Sequence, residues 1–276
     1  MRSFFISVII PTLNEERFLP KLLNDLKNQK DNDFEVIIVD GRSHDNTQKI
    51  ALDYKKYLNL RFIEVKKRSV SYQRNYGAAK SKGAYVCFFD ADTRISPTFF
   101  KKIKKEIQKT KHLVFIPPIE PQDKSFHDVV TFNLINFLIE ASLLTAKPFS
   151  SGGSMMFERS YFLFLGGFDE KLFLAEDHEI IQRAKTTGVT SQMLHKVKVK
   201  VSLRRLKKEG RLDLYRKYLV ATLHTLKNGR IRKKIFEYRM GGDYYTLNKK
   251  QPRTLDQILS NYFNKLKKQL DHLINE

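Results

Sequence analysis

An α/β fold built on a largely parallel sheet is predicted from three observations. Short apolar runs alternate with amphipathic helical segments through the first half of the chain. Each run stops in a turn rich in Asp, Asn, Ser, Thr or Gly. The most pronounced, Tyr85-Val86-Cys87-Phe88-Phe89-Asp90-Ala91-Asp92-Thr93, ends abruptly in two carboxylates spaced i, i+2. If the strand continues through them, Asp90 and Asp92 point to one side, just beyond the strand end where open α/β sheets bind ligands; taken alone, the pair reads as a polar loop after a core strand.

The elements follow in order. Residues 4–10 read as a first strand, and 16–28 as a helix with Leu19, Leu22, Leu23 and Leu26 on one face. A second strand spans 34–39 and ends at Asp40-Gly41. A helix over 45–57 follows, with Ser43 or Asp45 as its cap. Residues 60–65 form a short strand, 70–80 a third helix, and 84–89 the strand that carries the carboxylates. Ser96-Pro97 offers an N-cap and an N1 proline for a helix to about residue 109, and 112–116 is a further strand. The apolar segment 129–144 reads best as a buried core helix, and as an acceptor-side wall or membrane-facing helix otherwise.

Composition narrows the function classes. The single Cys87 rules out an intrachain disulfide. The start of the chain shows no signal-peptide pattern, and segment 129–144 is shorter than the roughly 20 residues of a membrane span. A cytoplasmic protein is expected, peripheral at the inner face of the membrane if attached at all. The net charge of +21 is concentrated late: residues 193–276 carry 22 Lys+Arg against 7 Asp+Glu, and the first 192 carry 29 against 23. A catalytic body of nearly balanced charge with a basic extension facing an anionic partner is the reading.

Three further groups converge on the strand ends. Pro11-Thr12-Leu13-Asn14-Glu15-Glu16 presents hydroxyl, amide and backbone N–H groups to a ligand, or caps a helix. Asp40 reads as a turn residue or as a ligand to a ribose or base edge. Arg74, in Tyr72-Gln73-Arg74-Asn75-Tyr76-Gly77, reaches a phosphate or is solvated. Two hard carboxylates at 90 and 92 suit Mg²⁺ or Mn²⁺ completed by water and substrate phosphate.

Taken in order, P-T-L-N-E, V-D-G-R-S, Q-R-N-x-G and D-A-D closely resemble the motif set of the family 2 glycosyltransferases, which have the nucleotide-sugar-binding GT-A fold. The resemblance continues through Ser151-Gly152-Gly153-Ser154, Gly166-Gly167-Phe168-Asp169-Glu170 and Ala175-Glu176-Asp177-His178, covering about residues 3–190. It implies a nucleotide-diphospho-sugar donor bound by Pro11, Thr12, Asn14, Glu15, Asp40, Arg74, Asp90 and Gly153. Asp92, with Asp90, is the implied metal ligand, and Asp177 the implied general base of an inverting transfer to a sugar or lipid-linked acceptor. Taken alone, Glu176-Asp177 reads as an acidic helix start, and Gly152-Gly153 as a turn or a close approach to sugar. Gly166-Gly167-Phe168 reads as a helix stop with an apolar plug. His178 and His195 read as solvated or core histidines rather than metal ligands.

The absence of Trp removes the Q-x-x-R-W motif of processive synthases, so a single-addition, non-processive transferase is expected. Ser202-Leu203-Arg204-Arg205, followed by Gly210, resembles an S-x-R-R…G stretch of some bacterial members. That resemblance implies that Arg204 or Arg205 closes on the diphosphate; the alternative is a basic surface. A catalytic domain over 1–205 and a basic helical extension over 206–276 are expected. In the extension Leu212, Tyr215, Leu219, Leu223 and Leu226 form one helical stripe, and Leu255, Ile258, Leu259, Tyr262, Phe263, Leu266 and Leu270 another. Docking on the catalytic domain or homodimerisation is the leading role for these stripes, and an anionic membrane surface the other. A nucleic-acid-binding protein would account for the charge but not for the ordered carboxylates, and no nucleic-acid motif is present. A sugar nucleotidyltransferase would begin with a Gly-rich loop, which residues 11–16 lack. A catalytically degenerate relative is opposed by the intact Asp92 and Asp177.

Overall fold

The computed structural model describes residues 4–110, 112–123, 125–150, 154–233 and 241–242. The first half runs β1 (Phe4–Thr12), α1 (Leu19–Lys27), β2 (Phe34–Asp40), α2 (Thr47–Asp53), a 3₁₀ turn (Tyr54–Lys56), β3 (Leu60–Glu64), α3 (Val70–Lys80), β4 (Gly83–Phe88) and α4 (Phe99–Thr110). The second continues with β5 (Val114–Ile116), β6 (Ile119–Pro121), α5 (Phe126–Leu143), β7 (Met155–Glu158), α6 (Arg159–Phe164) and α7 (Glu176–Thr186). It closes with β8 (Gln192–Met193), β9 (Val199–Val201), α8 (Arg204–Glu209) and α9 (Arg211–Asn228).

The main sheet has the order β3-β2-β1-β4-β7-β5-β8, and β6 pairs with β9 in a small second sheet. Strands β1 to β4 are mutually parallel, while β7 runs antiparallel between β4 and β5. The fold is therefore mixed α/β, as expected. Parallel strands covered on both faces are apolar nearly throughout. In β1, Ile6, Val8 and Ile10 enter one core layer with the Leu19, Leu22, Leu23 and Leu26 face of α1, whereas Ile9 enters the opposite layer. The registers Thr12↔Asp40 and Ile9↔Phe88 bring the ends of β1, β2 and β4 to one edge.

Three local expectations are corrected. Helix α4 starts at Phe99, two residues after the expected Pro97, because residues 97–98 make a turn closed by the Phe99 N–H donating to the Ser96 carbonyl. Strand β4 stops at Phe88, and Asp90–Thr93 turns, with the Thr93 N–H donating to the Asp90 carbonyl at 3.0 Å. Asp90 and Asp92 are thus not alternate residues of a strand. Helix α5 is not enclosed by core: Phe132, Ile139 and Leu143 are buried, but Phe126, Leu134 and Phe137 are 79%, 56% and 65% exposed. It is apolar on both faces, so its periodicity carried no signal for which side is covered.

The start of the expected 206–276 extension packs on the body through Leu206 and Leu214, which join Ile119, Phe132 and Leu203 in an apolar cluster. The second stripe, residues 255–270, lies outside the described residues.

Gly77 sits where α3 crosses β1 and β2. A Cβ there would lie 2.5 Å from Ile9 Cγ2 and 3.2 Å from Val39 Cγ2, so only glycine lets the helix approach this closely. Gly77→Val is expected to destabilise the fold by about 1–3 kcal/mol through overpacking. Urea denaturation checks this, and an unchanged midpoint would contradict the tight helix–sheet contact.

Candidate active site

The site forms at the carboxyl edge of β1, β2 and β4. Thr12 Oγ1 donates to Asp40 Oδ1 at 2.7 Å, and Ser43 donates to Asp40 through both its N–H (2.7 Å) and its hydroxyl (2.6 Å). Asp40 and Thr12 are each 2% exposed. Gln73 Nε2 reaches across both strand ends, donating to the Thr12 and Val39 carbonyls at 2.9 and 2.7 Å. Pro11 is the penultimate residue of β1 and pairs with Val39. Beyond it, Asn14 takes a left-handed backbone (φ 55°), its N–H donating to Ser43 Oγ and its side-chain oxygen accepting from the His44 N–H. The Gly242 N–H donates to the Leu13 carbonyl at 2.9 Å, bringing a late piece of chain onto this loop.

Two arginines divide the D-A-D pair between them. Arg74, with a side chain 3% exposed, donates to Asp90 Oδ1 at 2.7 Å and to Glu176 Oε1 at 3.0 Å, and lies over the Phe168 ring. Among the described residues its Nε finds no partner. Burial opposes its charge, but Asp90 and Glu176 outweigh burial and raise its pKa above the usual arginine value. Arg204 donates bidentately to Glu15 at 2.8 and 2.9 Å, and its Nε lies 2.8 Å from Asp92 Oδ2. Its guanidinium is 4.4 Å from the centre of the Phe18 ring. Burial raises the Asp92 pKa against the pull of Arg204, and lifts Glu15 to about 7. Arg205 turns instead toward Glu209 on its own helix, at 3.6 Å.

The Glu176-Asp177 pair opens α7 after Ala175, which takes a left-handed conformation (φ 63°). Asp177 is 5% exposed, and its charge reaches Arg74. Burial raises the Glu176 pKa, with Arg74 opposing it. His178 stacks on Phe149 with its Nε2 3.9 Å from Asp177 Oδ2, and exposed His195 pairs with Glu140. Phe168 is 2% exposed in the core, the apolar plug read from the sequence. Asn75 holds it by a two-way amide clamp: its Nδ2 donates to the Phe168 carbonyl and its Oδ1 accepts from the Phe168 N–H, at 2.9 and 2.8 Å. Sequence reasoning did not single out Asn75, Gln73 or Ser43 as organisers, although the first two flank Arg74 in its motif. Gly153 lies outside the described residues.

Among the described residues no three His, Cys, Asp or Glu side chains form a ready metal cage. Asp90 (side chain 48% exposed) and Asp92 are carboxylates of the hard-oxygen type that Mg²⁺ or Mn²⁺ takes alongside phosphate and water, and each is paired with an arginine here.

Comparison with known proteins agrees with this architecture. The model of the family described as Glycosyl transferase family 2 matches residues 7–165. The dolichyl N-acetyl-alpha-D-glucosaminyl phosphate 3-beta-D-2,3-diacetamido-2,3-dideoxy-beta-D-glucuronosyltransferase of Methanococcus voltae is 28% identical over 179 residues, 61% of this chain and 54% of that protein. The chain therefore spans about half the length of that relative. Staphylococcus aureus TarS (residues 1–349) in complex with UDP-GlcNAc superposes with a TM-score of 0.61 at 23% identity, over 71% of this chain and 58% of that one. The mannosyltransferase PcManGT of Pyrobaculum calidifontis, in complex with GDP-Man and Mn²⁺, gives 0.60 at 21% identity over 72% and 57%. The two superpositions establish the GT-A fold. With the motifs gathered at one sheet edge and the family model covering more than half its length, the chain belongs to glycosyltransferase family 2.

Proposed function

We propose that this protein is an inverting, metal-dependent glycosyltransferase that moves one sugar from a nucleotide-diphospho-sugar to an acceptor hydroxyl or phosphate, sugar-borne or lipid-linked. The observation that carries the reading is the Asp90–Arg74–Glu176 bridge, which ties the D-A-D turn to the start of α7, where Asp177 stands. In this reading Pro11, Thr12, Asn14, Glu15 and Asp40 line the nucleotide side, and Arg204 and Arg205 supply positive charge for the diphosphate. Residues 1–205 make the catalytic domain and 206–276 its extension. TarS with UDP-GlcNAc and PcManGT with GDP-Man support a nucleotide-sugar donor, and the archaeal dolichyl relative supports a lipid-linked acceptor.

Asp177 takes the proton of the acceptor hydroxyl, and the oxygen attacks the anomeric carbon from the face opposite the diphosphate. That displacement inverts the centre without a covalent enzyme intermediate. Arg74 holds Asp90 and Glu176 in place through its two ion pairs. Mg²⁺ or Mn²⁺ held by Asp92 and Asp90 would supply charge neutralisation of the leaving diphosphate.

Calorimetry against UDP-, GDP- and dTDP-sugars, with and without Mn²⁺, tests the donor side. One donor should bind in a metal-dependent way, and Asp92→Ala should abolish the metal dependence. Asp177→Asn should retain donor binding while kcat falls by about 10²–10⁴-fold. Proton NMR of the product reports the anomeric configuration, and retention would overturn the inverting assignment.

Arg204 neutralises Asp92, one of the two carboxylates offered to the metal. In Arg204→Gln, Mn²⁺ alone should bind about tenfold or more tightly, because a charged hydrogen-bonded competitor is lost, while donor binding weakens. Paramagnetic titration of Mn²⁺ reads the first effect, and weaker Mn²⁺ binding would contradict it.

Glu15 has a folded pKa of about 7 against 4.5 for an unperturbed glutamate, so between those values the folded protein binds more protons than the unfolded chain. Its contribution to stability is therefore present at acid pH and is lost as pH rises through that window. Denaturation at pH 5 and pH 8 should show a smaller loss in Glu15→Gln than in the native protein.

A further inference from the structure

We infer that the chain just past α9 is a brace that positions the start of α7, with Arg230 as its grip on that helix. Helix α9 ends at Asn228, and Gly229, at φ 77°, lets the chain leave it. The segment that follows lies antiparallel to the loop between Phe168 and α7. Ile231 forms a β-bridge with Leu174, and its carbonyl accepts from the Phe173 N–H at 2.8 Å. Ile231 is 1% exposed and is buried with Leu174 and with Ala221 of α9. Arg230 crosses to α7, donating to Glu179 Oε1 at 2.6 Å.

Three parts of the molecule meet at Glu179. Its side chain is 7% exposed, and a carboxylate so placed needs paired donors. Arg183, one turn on, supplies two, through Nε at 3.1 Å and Nη2 at 2.7 Å. The same guanidinium donates to the Gly167 carbonyl at 2.7 Å and to that of Leu165. Glu179 therefore joins α7, the Gly166-Gly167 turn and the segment beyond α9. That segment and α7 enclose a cavity of about 280 Å³, which Leu172, Gln182, Thr186 and Thr225 line together with Glu179 and Arg230. Where a gap replaces packed atoms, dispersion contributes less. The ion pair then contributes more to holding the segment on the helix.

The brace stands where the chemistry is proposed. One end of the loop is fastened by Asn75, which clamps Phe168 and also donates to Glu170 Oε1 at 3.1 Å. The other end runs into Ala175, at φ 63°, and directly on to Glu176 and Asp177. A left-handed alanine persists only where its surroundings fix it. Leu174, just before it, carries the bridge to Ile231, and the Glu179 N–H donates to the Ala175 carbonyl at 3.1 Å. Bridge and ion pair thus hold both sides of the residue that aims the first turn of α7. Arg230 is a positioning residue contributed by the basic extension. Its effect on transfer rests on the proposed role of Asp177, whereas the brace itself does not.

Hydrogen exchange of the full chain reads the brace directly. In Arg230→Ala the Phe173 and Glu179 amides should exchange about tenfold or more faster, while those of β1 and β2 keep their protection. Arg230→Lys keeps a cation within reach of Glu179 and should restore most of the protection. Release of nucleoside diphosphate from UDP-, GDP- and dTDP-sugars, with water in the acceptor's place, should slow about tenfold or more in Arg230→Ala. Donor affinity by calorimetry should be unchanged. Unaltered exchange at Phe173 and Glu179 would overturn the brace. So would a loss of protection shared by β1 and β2, which would make the pair a matter of overall stability. Faster local exchange without slower release, where Asp177→Asn is itself impaired, would overturn the positioning role. If Asp177→Asn releases diphosphate at the native rate, the catalytic reading fails, and the exchange rates alone decide the brace.

Discussion

The buried guanidinium of Arg74 is the contact on which the site depends. It stands beneath the turn after β4 and the start of α7, and each element brings it a carboxylate. Burying a charge is costly unless it is paired and hydrogen-bonded, and removing one partner from such a pair is worse than never having built it. Arg74 therefore fixes the separation of two acidic segments 86 residues apart, from Asp90 to Glu176. Asn75, its neighbour, does the same for Phe168 through the backbone. One turn of α3 thus fastens both halves of the molecule across the sheet, and Gly77, one turn on, lets that helix lie close enough to do so.

Around this anchor the backbone is strained where the chemistry is placed. Three described non-glycine residues have positive φ: Asn14 after β1, Arg42 after β2 and Ala175 before α7. Asparagine tolerates this conformation through local hydrogen bonds, while alanine has none to offer and adopts it at a cost. All three adjoin residues of the site, so sharp reversals there are held by surrounding contacts. Asp40 shows the same economy: a nearly inaccessible carboxylate accepts from Thr12 and twice from Ser43, and so pins the loop that follows β2 to the end of β1.

The carboxylates themselves are held in opposing balance. Glu15, Asp92 and Glu176 are each pushed toward protonation by burial, and each has an arginine pulling the other way. A cluster of this kind suits a ligand that delivers both a cation and an anion, as a metal-bound diphosphate does. In the proposed reading, electrostatic complementarity comes from exchanging partners rather than from desolvating bare charges.

Much of this was legible in the sequence because it is local. Strand and helix periods placed the elements of the first half to within a few residues, and α3 fell at Val70–Lys80 as read. The ordered motifs named the strand-end residues and the family. The sequence left strand and turn both open at Asp90, because two carboxylates after an apolar run look alike in either. The exposed stripe of α5 was only the lesser of two readings, because a helix apolar all round hides which face is covered. The sequence by itself determined the elements, their order and the residue types that meet at one sheet edge, since these follow from short-range periodicity and chain direction. Only the tertiary structure decided which arginine answers which carboxylate. Arg74 reaches Glu176 across 102 residues and Arg204 reaches Glu15 across 189, distances at which pairing is set by packing rather than by spacing along the chain.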